Sequence, residues 1–238
     1  MLLFARGSRP DALGVAEAVT AIPRASASHE LDVVDGVPHG LELLRDGMTF
    51  DLQGLAPGDG ATFAPPRHRF GIAGDAASEG WEAVTLRPGP HIAAGARTIP
   101  VVRTLAGLAA ELGARLVAAS GVAWSPAGSV SGPAFFASTV RAWLDGGAFP
   151  ALGLTAFAPD ENDRLCSEGL AWFTGQEIVL TGPLADDRAA AIRLGVHLID
   201  QLIGRGPLKT SEAIVSPYKD RLILEPADGG TVIAVRRG

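Results

Sequence analysis

LCSEGLAWFTGQEIVLTGPL, residues 165–184, decides how the second half of this chain is built. It holds the only cysteine, Cys166, together with Glu168, Trp172 and Glu177. With Thr174-Gly175 as a two-residue turn, Phe173 faces Gln176 and Trp172 faces Glu177. One face then carries Ala171, Phe173, Ile178 and Leu180. The other carries Cys166, Leu170, Trp172, Glu177 and Val179. Both faces are largely apolar, which predicts a hairpin covered on both sides, central in its sheet. Thr-Gly is a weaker turn signal than Asn-Gly, so a longer connection with a shifted register stays open.

Working outward, the same alternation of short strands and helices recurs. Residues 1–5 read as a buried strand. Ser8 and Asp11 have capping-box spacing and Pro10 suits a first helical turn, so residues 10–21 form a helix with Ala12, Val15, Val19 and Ile22 on one face. Three short strands follow, two of them joined by Asp46-Gly47, which tolerates positive φ. Residues 55–78 are rich in proline and glycine and read as a long surface excursion. Beyond a strand near Trp81, Val101, Leu105, Leu108 and Leu112 share a helical face, and Gly113 stops that helix. A strand over 114–124, a helix opened by Pro133 with Phe136, Val140 and Trp143 inward, and a strand over 151–159 lead to the quoted stretch. After it, Ile192, Val196, Ile199 and Ile203 mark a helix, and three short strands finish the chain.

The fold class is therefore α+β, a mixed or antiparallel sheet with packed helices. The order strand, helix, three strands, helix occurs twice, which suggests an internally duplicated unit. The halves divide at residues 1–112 and 113–238, either as two units or as one domain with a continuous sheet.

Apolar residues make up 47% of the 238 residues and charged residues 19%, enough to bury a sizeable core. The net charge of −6 and the presence of only two lysines, Lys209 and Lys219, argue against nucleic-acid binding. A single cysteine makes no internal disulfide and points to a reducing compartment, hence the cytoplasm. No run approaches the roughly 18 apolar residues of a membrane helix, and the short apolar run before Arg6 is too short for a signal peptide. The bias to Ala, Gly, Arg and Pro suits a GC-rich bacterial genome.

The chemistry-bearing residues are sparse. His29, His39, His68, His91 and His197 are far apart, and there is no HExxH, CxxC or HxH, so no metal site and no cofactor is indicated. Residues 58–63 begin like a dinucleotide loop but place Phe63 at the third glycine position, and no phosphate loop occurs. GxSxG is absent. Cys166 has Arg164 two residues away, a cation that would favour the thiolate, yet free cysteines are most often inert and buried. Glu177 beside Trp172 reads either as a polar tip at a binding edge or as a hydrogen-bonded glutamate next to a turn. Trp124 and Trp143 read as core residues or as ligand platforms. Arg141 either contacts solvent beside Trp143 or pairs with Asp145.

GVAWSPAGSVSGPAFF, then FPALGLTAFA, then SEGLAWFTGQEIVL together resemble the bacterial DUF4261 proteins over residues 98–206. The matching positions are Trp124, Pro126, Gly169, Leu170, Phe173, Gly175 and Glu177. That family has no assigned activity, so the resemblance implies no catalytic residue. The leading expectation is a protein-interaction module without catalysis, its acidic surface meeting a basic partner, with Trp124, Trp172, Glu177 and Arg141 as candidate contacts. The alternatives are a hydrolase with a non-local site drawn from Glu177, Cys166 and His68, and a small-ligand binder built on Trp124 and Trp143.

Overall fold

A computed structural model of the chain describes residues 1–72 and 80–238. The chain forms two compact units. One comprises Met1–Ser125 with Val130–Gly147, the other Pro126–Ser129 with Ala148–Gly238. The break therefore falls after Gly147 rather than after Leu112, and a four-residue segment changes sides.

The first unit contains β1 (Leu2–Ala5), α1 (Ala12–Thr20), β2 (Ala25–Val34), β3 (Val37–Arg45), β4 (Met48–Gln53), β5 (His68–Phe70), β6 (Trp81–Pro88), α2 (Ile99–Arg115), β7 (Ala119–Trp124), β8 (Ser129–Ser131) and α3 (Pro133–Leu144). Its eight strands lie in the order β2-β3-β4-β6-β1-β7-β8-β5. The hairpin at Asp46-Gly47 forms as the residues predict, with φ of 52° and 79° and Arg45 opposite Met48. Asp11 alone caps α1, accepting from the Gly14 N–H at 2.8 Å, and the helix starts two residues later than the spacing predicts. Val101, Leu105, Leu108 and Leu112 are buried as expected. Gly113, expected to stop α2, instead lies buried inside it, facing Leu2 and Val122, and the helix runs on to Arg115.

β1 is buried on both faces. Leu2 faces α2, while Leu3 joins Ala83, Ala123 and Val130 in a cluster on the other face. Phe63, Ile72 and Trp81 cover that cluster. The first part of the 55–78 segment is thus not a free excursion. Leu55 is fully buried, Ala61 bonds to the Ala83 carbonyl at 2.8 Å, and β5 adds to the sheet. Residues 73–78 of that segment lie outside the described residues.

The second unit contains a turn, α4 (Ala151–Leu154), then β9 (Ala156–Pro159), β10 (Leu165–Glu168), the single-turn α5 (Ala171–Thr174), β11 (Glu177–Leu180), α6 (Arg188–Arg205), β12 (Glu212–Val215), β13 (Arg221–Ala227) and β14 (Val232–Arg237). Its sheet order is β12-β13-β14-β11-β10-β9, antiparallel except that β11 and β14 run parallel. Residues 151–154 do not join the strand expected there, because Gly153 takes φ 119° and turns the chain. The buried stripe of α6 is Ala191, Leu194, Leu198, Ile199 and Leu202, so the helix is rotated from the isoleucine-valine face read in the sequence. Gly195 sits directly against the Phe157 ring on that buried side.

The α+β class holds. The strand, helix, three strands, helix unit expected twice is not repeated. β1 shares a sheet with β2, β3 and β4, whereas β7 lies in the eight-stranded sheet and β9, β10 and β11 lie in the six-stranded one. Among the described residues, five strands, β2 to β6, separate α1 from α2, whereas β9, β10 and β11 with the short helices α4 and α5 separate α3 from α6.

Candidate functional site

The quoted stretch is two antiparallel strands, but not a tight hairpin. Leu165 faces Leu180 and Cys166 faces Val179. Residues 169–176 between them form a corner. Gly169 takes φ 91°, where an added Cβ would lie 2.9 Å from that of Ala127. α5 makes one turn, and Gly175 ends it in the left-handed conformation at φ 82°. The predicted pairing of Phe173 with Gln176 and of Trp172 with Glu177 is therefore absent. Gly-Leu and Thr-Gly act as the two ends of a helical turn rather than as strand and hairpin residues.

Glu177 holds this corner together. Its Oε1 accepts from the Gly169 N–H at 2.8 Å and the Ala171 N–H at 2.9 Å. Its Oε2 accepts from the Leu170 N–H at 3.2 Å and from the Ser167 hydroxyl, which itself accepts from the Ile178 N–H at 2.9 Å. Burial pushes the Glu177 carboxyl above its ordinary value, and these bonds pull the other way without cancelling the shift. Next to it, the buried Gln176 side chain donates to the Leu208 and Gly230 carbonyls at 2.9 and 2.8 Å and accepts from the Leu208 N–H at 2.6 Å. Sequence reading passed over Gln176; its place beside a glycine in a buried segment was the available signal.

The other candidate residues lie on several elements. Trp172 is half-buried, edge-on to Phe173 at 4.8 Å, and Phe173 meets Phe149 in the same manner. Trp124 is half-buried at the end of β7. Trp143 is buried under the Arg103 guanidinium, 4.8 Å from its ring centre, while Arg103 also donates to the Trp143 and Leu144 carbonyls at the end of α3. Arg141 is exposed and forms no ion pair with Asp145. His68 is half-buried in β5, in the first unit, whereas Cys166 and Glu177 belong to the second. Burial and Asp160 raise the Cys166 thiol, and Arg164, the cation that would lower it, is engaged by Asp160 at 2.6 Å. Among the described residues, no group of three or more His, Cys, Asp or Glu is placed to hold a metal ion.

A different region stands out by charge. Residues 11–53 contain eight acidic and two basic residues, the entire excess of −6, since the remaining 18 of each sign balance. These residues build α1, β2, β3 and β4. Across four adjacent strands, His29, Glu42, Asp51 and Arg87 stand in register. His29 Nδ1 lies 3.5 Å from Glu42, and Arg87 Nε 3.9 Å from Asp51. Asp32 joins through Gln53 at 2.9 Å. Burial raises the Asp51 carboxyl, Arg87 lowers it, and Glu42 and Asp32 raise it further.

The same segment also exposes large hydrophobic side chains among its charged ones. Of the eight large hydrophobic residues exposed among the described residues, five belong to it: Leu13, Val33, Val34, Val37 and Leu44. A groove of about 350 Å³ runs between α1 and the β2–β3 hairpin, walled by Leu13, Ala16, Val37, Pro38 and Leu41, with Asp11 and Glu30 also lining it. Comparison of the chain with protein-family models, with curated proteins and with solved structures returned no match.

Proposed function

We propose that this chain is a protein-interaction module without catalytic activity, and that its docking surface is the corner built from α1, β2, β3 and β4. The observation that carries this reading is the coincidence, in one 43-residue segment, of the whole net negative charge with five of the eight exposed large hydrophobics. Apolar area supplies affinity, and surrounding carboxylates steer and select a basic partner. The candidate catalytic groups give no competing support, because the Glu177 carboxylate is spent on four internal hydrogen bonds.

The likeness of residues 98–206 to the DUF4261 proteins fits the same reading. Gly169, Leu170, Gly175 and Glu177 all serve the corner, so such a pattern would persist for folding rather than for chemistry. The module works in the cytoplasm, a proposal supported by its lone cysteine; among the described residues, no helix is long and apolar enough to cross a membrane.

The test is capture of partners from host lysate with the wild-type chain and with a Glu17→Gln, Glu30→Gln, Asp35→Asn variant. These three residues are exposed, and among the described residues no hydrogen bond uses their side chains. A stoichiometric basic partner that is lost at high salt and in the variant is the expected result. A partner held equally by both proteins at either salt would place the interface elsewhere, and no partner at all would remove the proposal.

A further inference from the structure

β2 is a terminal strand of the eight-stranded sheet, ten residues long and exposed along most of its length. A strand edge of that kind ordinarily invites a further strand. Two features of this edge reject one. The register with β3 slips between Ala27 and His29, a bulge at Ser28, whose hydroxyl donates to Glu42 at 2.6 Å. Asp32 then takes φ 51°, a left-handed residue within the strand. No uninterrupted run exceeds Ala25 to Ala27 or His29 to Leu31, too short for a stable ladder. A second copy of the chain is disfavoured as well, since Glu30, Asp32 and Asp35 would meet their own equivalents.

The groove beside the edge has the opposite character. Leu13 is 69% exposed and Val37 40% exposed, although both stand on a wall whose floor, Leu41, is buried at 4%. Ala16 leaves the space open between them, and Ala56, bonded to the Pro10 carbonyl at 2.9 Å, forms one end. The volume suits one or two large apolar side chains, and the carboxylates present there, Asp11 and Glu30, are complemented by cations. Resting on the interaction reading above, we infer that the groove between α1 and the β2–β3 hairpin takes a leucine or phenylalanine anchor from a partner segment flanked by lysine or arginine. The partner is recognised through inserted side chains and not through an added strand.

The probe is the synthetic peptide acetyl-KKLFKK-amide, titrated into the full chain with methyl groups labelled for NMR. Saturable shifts at the Leu13, Val37 and Leu41 methyls are expected, with binding weakened about 5-fold or more by Leu13→Ser and by raised salt. The charge-reversed acetyl-EELFEE-amide should leave those methyls unmoved. Ala16→Trp, which fills the groove, should also abolish the shifts; because that variant carries more folding risk, the exposed Leu13→Ser remains the deciding change. Absence of saturable shifts at these methyls, or equal binding by wild type and Leu13→Ser, overturns the inference. The lysate capture separates the two readings. A native partner held equally by wild type and Leu13→Ser leaves the module standing and removes the groove, whereas no native partner removes the module itself.

Discussion

Replacing Glu177 by glutamine tests whether this carboxylate is a structural pin. Its two oxygens accept from Ser167, Gly169, Leu170 and Ala171. Glutamine keeps one acceptor oxygen and presents an amide N–H₂ where the other oxygen stood. With the amide turned toward Ser167, the Leu170 N–H loses its partner and the serine hydroxyl reverses its role. An unsatisfied, partly buried donor costs about 1–3 kcal/mol, and loss of the buried charge offsets a fraction of that, so Glu177→Gln should cost about 1–2 kcal/mol. Glu177→Ala removes every acceptor and should cost about 3–5 kcal/mol. The pH dependence has a definite sign. Because the folded carboxyl titrates above the ordinary glutamate value, its stabilising contribution is full below that ordinary value and is lost as the pH rises through the raised one. The advantage of wild type over Glu177→Gln should therefore shrink as the pH rises through that window. Urea unfolding followed by tryptophan fluorescence, at several pH values, measures both effects. Equal stability of wild type and Glu177→Ala would refute the pin and return Glu177 to the list of free functional groups.

Three further outcomes follow from the same geometry. Gln176→Ala leaves the Leu208 N–H and two carbonyls without their partner and should cost about 2–4 kcal/mol in the same unfolding assay. Gly195→Ala places a Cβ 2.5 Å from the Phe157 ring and should cost about 1–3 kcal/mol by overpacking, read as a lower melting temperature. Cys166, its thiol raised by burial and by Asp160, should react with a thiol reagent at neutral pH more slowly in the native chain than in the urea-unfolded chain.

Regular elements with one apolar stripe were legible in the sequence. Val101, Leu105, Leu108 and Leu112 place α2, and Phe136, Val140 and Trp143 place α3, because spacing at helical period has one reading when the stripe is unbroken. The misreadings share a cause: a residue whose local preference has two uses. Gly113 can end a helix, but here it lies on the buried face of one that runs on to Arg115. Thr174-Gly175 can turn a hairpin, yet Gly175 instead ends a helical turn whose first N–H groups find Glu177. In α6 apolar residues occur on more than one face, so periodicity alone could not choose between the isoleucine stripe and the leucine stripe that is buried. The acidic, apolar corner was visible only as a net charge. Its concentration in residues 11–53 is a count along the chain, but the groove requires α1 to pack beside the β2–β3 hairpin.

The most direct test of the interaction account is a hydrogen-exchange footprint of the chain with its captured partner. Protection confined to α1, the β2–β3 hairpin and the Leu41 neighbourhood is the predicted result, with the Glu177 corner unchanged. Protection centred on the corner around Trp172 and Glu177, with residues 11–53 exchanging as in the free chain, would contradict the account.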